Sequence, residues 1–143
     1  MNEQFIGVWK LLSYEMRYDD GRVSHPYGSH PVGRLTYDRA GRMSAQLMNP
    51  ERSGTTYNAD GGGIRDASEA DIRNVVSGFV AYCGTYDVDE RKHQVIHHVK
   101  IAMHPAWVGG DQFRAYEFDG NRLTLSVMLP GRRTRLVWEK ETD

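Results

Sequence analysis

The chain is 143 residues long with a formal net charge of −1, and 39% of its residues are hydrophobic against 26% charged. These values suit one soluble globular domain over 1–143 and, lacking a basic surplus, argue against nucleic acid as a partner. The single cysteine, Cys83, excludes an internal disulfide, and an N-terminus with neither a basic nor an apolar leader segment makes the cytoplasm the expected location.

A first apolar, strand-like run covers residues 5–18 and is broken by Asp19-Asp20-Gly21. A loop follows with His25-Pro26-Tyr27-Gly28, where Pro26 and Pro31 keep the chain out of regular pairing. Residues 32–38 and 42–48 read as a hairpin around Arg39-Ala40-Gly41. Residues 49–67, with Gly61-Gly62-Gly63, form the longest irregular stretch. Ser68 then starts a helix over 68–81, with Ser68 as N-cap and Ile72, Val75, Val76, Phe79 and Val80 at helical spacing. Its stripe suits a plug or a lid on the end of a sheet structure. Five more strands follow at 82–89, 93–103, 112–118, 122–129 and 134–140, separated by Asp, Asn, Gly and Pro turns. Eight antiparallel strands on short turns, with one inserted helix, predict an all-β up-and-down barrel. Eight is also the strand number at which a barrel interior can hold one small ligand. No stretch is long and apolar enough to span a membrane.

Several motifs in order carry a resemblance. They are Gly7-Val8-Trp9-Lys10-Leu11-Leu12-Ser13-Tyr14-Glu15, His25-Pro26-Tyr27-Gly28, Val32-Gly33-Arg34-Leu35-Thr36-Tyr37 and Gly41-Arg42-Met43-Ser44-Ala45-Gln46. Gly84-Thr85-Tyr86, His97-His98-Val99, Pro105-Ala106-Trp107-Val108-Gly109, Gln112-Phe113-Arg114, Leu123-Thr124-Leu125 and Trp138-Glu139 complete the set. Together they resemble the small bacterial and fungal lipocalin-like domain family of the calycin type, in which Gly-x-Trp opens the first strand. The resemblance implies a barrel and a hydrophobic-ligand site. The family pattern often carries a small hydroxyl residue at the Ala102 position and Asn at the Ala106 position. Alanine at both removes those polar groups from any pocket that used them.

Side chains alternate across a strand, so one anchored residue sets the direction of the rest. With Trp9 inward at a barrel floor, Leu11, Ser13, Glu15 and Arg17 share its face. In 93–103 the more apolar set is Val95, His97, Val99, Ile101 and Met103, which takes His97 inward. Arg114, Tyr116 and Phe118 form the aromatic face of 112–118. Leu123, Leu125, Val127 and Leu129 face in, and Tyr82, Tyr86 and Val88 share a face. The expected lumen is thus apolar, with Glu15, His97, Arg114 and Tyr86 as polar points, a composition typical of small-molecule sites. A buried Glu15 and Arg114 should pair with each other or with a ligand.

The candidate ligand-binding residues are Arg114, His97, Glu15, Tyr86, Tyr116, Trp107 and Tyr27, the last two as rim residues or as loop anchors. His97 and Glu15 are candidate proton carriers; alternatively His97 is a structural histidine bonded to a side chain of a neighbouring strand. Arg114 either binds a ligand oxygen or is structural, paired with Glu15 or stacked on Trp9, a role for which Arg135 competes. The histidines lack metal-site spacing, and no metal or cofactor is expected. Three readings follow. One is a barrel that holds a small apolar or amphipathic molecule. Another is an enzyme on the same barrel, a cyclase, isomerase or lyase using His97 or Glu15 with Arg114 or Tyr86 steadying oxyanion charge. The third is a filled barrel that works as an interaction module through an outer face, as a homodimer.

Overall fold

Turn residues cut the chain into strands that return on themselves. In the computed structural model, which describes residues 3–52 and 67–142, the order is β1 (Gly7–Tyr18), β2 (Val23–Ser24), β3 (Val32–Tyr37), β4 (Arg42–Met48), α1 (Glu69–Ser77), β5 (Phe79–Asp89), β6 (Gln94–Ala102), β7 (Asp111–Asp119), β8 (Arg122–Leu129) and β9 (Arg132–Lys140). All strand pairings are antiparallel between neighbours, and β9 returns to β1 from Trp9↔Lys140 to Tyr18↔Arg132. That last pairing closes eight strands into the expected barrel. The two-residue β2, paired only with the end of β1, lies outside that closure and was not foreseen.

Two bulges decide which side chains face inward. Between Leu11 and Ser13, β1 carries one residue more than β9, so alternation reverses. Trp9 and Leu11 face the core as expected, but beyond the bulge it is Tyr14, and not Ser13 or Glu15, that turns inward. Glu15 lies opposite Arg135 and accepts a hydrogen bond from Arg17 Nε at 3.0 Å, away from Arg114. A second bulge lies where Cys83 and Gly84 of β5 face Ile101 and Val99 of β6. Val95, His97 and Val99 are buried, whereas Ile101 is 68% exposed and Ala102 packs on the core instead. Gly84 permits this fold of the chain, because a Cβ there would run into the His98 carbonyl oxygen.

The helix is shorter than its pattern suggests. Ser68 Oγ does accept the Asp71 N–H at 3.2 Å, but Gly78 ends α1, and Phe79 and Val80 begin β5. Arg52 holds that junction: Nη1 donates to the Val75 carbonyl at 2.8 Å and the guanidinium covers the Phe79 ring. No residue of α1 is buried, so it is not the plug of the barrel. That role falls to Phe5, on a 3-10 turn at Glu3–Phe5 before β1. Its ring meets Tyr37, Tyr116 and Phe118 edge-on at 4.9–5.3 Å, and its carbonyl accepts the Trp9 indole N–H at 2.9 Å. The cation over Trp9 is Lys140, 5.0 Å from the ring, rather than Arg114 or Arg135. The expected irregular stretch at 49–67, with its glycine run, falls largely outside the described residues.

Candidate functional site

One end of the barrel is solid and the other is hollow. Phe5, Trp9, Tyr37, Tyr86 and Phe118 fill the first half with aromatic rings, edge-on between Phe5, Tyr37, Tyr86 and Phe118 and tilted between Trp9 and Phe118. Beyond them a cavity of about 400 Å³ opens, walled by Leu35, Ala45, Leu47, Val80, Leu125 and Leu136. Its polar lining comes from Tyr14, Tyr27, Tyr82, His97, His104, Gln112, Arg114 and Thr134, and it includes no Asp or Glu among the described residues. An open depression lined by Ser13, Glu117 and Arg135, larger but polar, lies outside the barrel wall.

Four of the seven expected binding residues meet at this cavity: Arg114, His97, Trp107 and Tyr27. Three do not. Glu15 is turned out by the β1 bulge. Tyr86 belongs to the solid half, donating its hydroxyl to the Asp38 carbonyl at 3.0 Å and edging onto Tyr37. Tyr116 sits beside Phe5, Phe118 and His93. In their place come Tyr14, Tyr82 and Trp138. Tyr14 required the bulge to be known. Tyr82 shares the face of Tyr86 by simple alternation, two turns of the pleat nearer the hollow end. Trp138 stands opposite the inward Leu123 on β8.

His97 lies at the boundary between the halves, 1% exposed. Its Nε2 is 2.6 Å from Tyr37 Oη and its Nδ1 2.7 Å from Tyr82 Oη. Both ring nitrogens are therefore occupied by side chains: Tyr82 stands on the neighbouring strand β5, as in the structural alternative of the sequence reading, and Tyr37 reaches across the barrel interior from β3. Burial, with the Arg114 charge and then His98 adding to it, pushes its pKa down to about 3, so the ring is neutral near pH 7. Burial also raises the hydroxyl pKa of Tyr37, Tyr82 and Tyr14, against the opposing pull of Arg114 on each. Tyr27 is pushed up to about 12, first by burial and then by Tyr14. All these groups are neutral donors at neutral pH.

Among the described residues, Arg114 is the one charge of the cavity wall. It donates to the Phe113 carbonyl at 2.9 Å and to Gln112 Oε1 at 3.1 Å, and no carboxylate among the described residues pairs with it. Trp107 rims the opening on the 3-10 turn Pro105–Trp107, edge-on to Tyr82 at 5.5 Å and beside His104. Tyr27 edges onto Tyr14 at 5.1 Å. Of the two departures from the family pattern, Ala102 packs beside Tyr82 and Ala106 is exposed on the rim turn.

A closed antiparallel cup, plugged at one end and hollow at the other, defines the lipocalin type of barrel. The model of the lipocalin-like domain family matches residues 6–141, and the chain belongs to that family. It is also similar to the 4'-hydroxy-3'-methoxypropiophenone carrier protein ppsC of Aspergillus oryzae (strain ATCC 42149 / RIB 40), with 28% identity over 110 residues. The match covers 68% of this chain and 96% of the relative. No solved structure gives a significant match. Among the described residues no helix is long and apolar enough to cross a membrane.

Proposed function

We propose that the protein is a carrier that holds a small, mainly apolar molecule in the hollow half of its barrel. The observation that supports this most is Arg114: a cation at the wall of a largely apolar cavity, with no carboxylate among the described residues to neutralise it. A half-buried guanidinium without an ion pair can meet an oxygen-bearing ligand. The cavity matches in scale the lower range of small-ligand sites. A relative named as a carrier of an aryl ketone supports the same class of ligand, an aromatic body with oxygen substituents. His97 contributes by holding Tyr82, not by moving protons, because neither ring nitrogen is open to a substrate. The single cysteine suits a reducing, cytoplasmic setting.

Titration with 1-anilinonaphthalene-8-sulfonate, an apolar fluorophore with one anionic group, tests the reading. Saturable one-to-one binding is expected. Arg114→Ala should weaken it about tenfold to a hundredfold, the worth of one charge-assisted contact. Ala45→Phe, which fills the cavity from β4, should abolish it. Binding unchanged in Ala45→Phe would put the site elsewhere and end the carrier reading.

A further inference from the structure

The hydrogen-bond arithmetic around His97 says what kind of head group the cavity accepts. This inference rests on the carrier reading of the same cavity. A neutral imidazole has one N–H donor and one bare nitrogen acceptor. Two arrangements are open. In one, Tyr37 donates to Nε2, and Nδ1–H donates to the Tyr82 oxygen. In the other, Tyr82 donates to Nδ1, and Nε2–H donates to Tyr37.

Burial separates them. Tyr37 is 1% exposed, lines no part of the cavity, and has His97 as its one side-chain hydrogen-bond partner among the described residues. The second arrangement would leave its O–H buried and unsatisfied, and an orphaned buried donor costs more than an ordinary hydrogen bond returns. In the first arrangement the spare O–H belongs to Tyr82, which does line the cavity. There a water or a ligand can accept it. Tyr37, sealed in the solid half, thereby fixes the tautomer of His97, and His97 fixes Tyr82 as a donor into the hollow half.

The rest of the wall agrees. Arg114 offers only donors, and it acts on the charge of both His97 and Tyr82. The Gln112 carbonyl oxygen is already used by Arg114. Trp138, another cavity residue, carries a buried indole N–H with no partner among the described residues. The spare capacity of these groups is donor capacity, and no carboxylate lines the cavity among the described residues.

We propose that the carried molecule presents a carbonyl oxygen to the Tyr82 hydroxyl beside Arg114, with its apolar body among the leucines, and that Tyr37 and His97 are positioning residues for that contact. The Arg114 charge disfavours a cationic amine at the same place.

Two measurements test it together. The first is a long-range proton–nitrogen NMR spectrum of the histidine rings in the wild-type protein near pH 7. The proton of His97 is expected on Nδ1, and a proton on Nε2 overturns the inference. The second is a pair of titrations, with 4'-hydroxy-3'-methoxypropiophenone and with 2-methoxy-4-propylphenol, the same body with the carbonyl reduced to a methylene. The wild type is expected to bind the ketone about tenfold more tightly, the worth of one neutral hydrogen bond. Tyr82→Phe should lose that preference while keeping its affinity for the propylphenol. If the wild type binds both compounds alike, the carrier reading stands and this inference alone falls. If it binds neither, the carrier reading falls and takes the inference with it. The spectrum needs no variant, so a Tyr82→Phe protein that fails to fold leaves the test intact.

Discussion

Two buried tryptophans, Trp9 on β1 and Trp138 level with Leu11 on the paired strand β9, meet different fates. Trp9 is 1% exposed, and its indole N–H is satisfied by the Phe5 carbonyl at 2.9 Å. Trp138 is 2% exposed, and its indole N–H has no partner among the described residues. The same contrast runs through the halves they belong to. In the solid half, rings meet rings edge-on, Tyr86 bonds Asp38, and Lys140 covers Trp9. In the hollow half, Arg114 has no counter-ion among the described residues, and leucines and polar side chains surround open space. A fold stabilised for its own sake would satisfy both ends alike. The solid end is architecture, and the hollow end keeps polar capacity in reserve for something that is not part of the chain.

Substitutions can break this contrast, and they rank by expected size. Trp9→Ala removes the ring that Phe118 and Lys140 pack on, and should cost about 3–5 kcal/mol in chemical denaturation. A loss under about 1 kcal/mol would show that the solid end is not the stabilising half. Gly84→Ala drives a Cβ into the His98 backbone at the β5–β6 bulge. It should cost about 1–3 kcal/mol, as overpacking does, and should shift the amide signals of β6 from His97 onward.

Acid should act through His97. Its folded pKa, about 3, lies below its unfolded value, so the unfolded chain binds the extra proton as pH falls. The stability tied to this group is whole above about pH 6.5 and drains away as pH falls toward 3. His97→Gln should flatten that part of a stability-against-pH curve, whatever it does to stability at pH 7. The smallest effect on folding belongs to Arg114→Ala. With no ion pair to lose, it should change stability by no more than about 0.5 kcal/mol while ligand affinity drops. A large fall in melting temperature with affinity unchanged would reassign Arg114 to architecture.

Much of the barrel was legible because turns announce themselves. Asp19-Asp20-Gly21, Arg39-Ala40-Gly41 and Asp119-Gly120-Asn121 mark strand ends by residue type alone. Alternation then gave the inward faces of β7 and β8, and with them Arg114, Leu125 and Val127. It failed where a bulge reversed it. Nothing in the type of Leu12 signals an extra residue in β1, so Glu15 was expected inside and Tyr14 outside. At the second bulge Gly84 does carry a signal, since a glycine within a strand marks close backbone approach. Gly78 likewise marks the end of α1, which the apolar spacing of Phe79 and Val80 obscured. The bonds that hold His97 were beyond the sequence, because its partners lie 60 and 15 residues away on other strands.

The central claim is that the ligand enters one half and leaves the other untouched. The three tryptophans report on it directly, through their indole N–H signals in a proton–nitrogen spectrum. Addition of 4'-hydroxy-3'-methoxypropiophenone should move the signals of Trp107 and Trp138, which line the cavity, and leave that of Trp9 in place. Movement of Trp9 alone, or of none of the three under saturating ligand, would contradict the account.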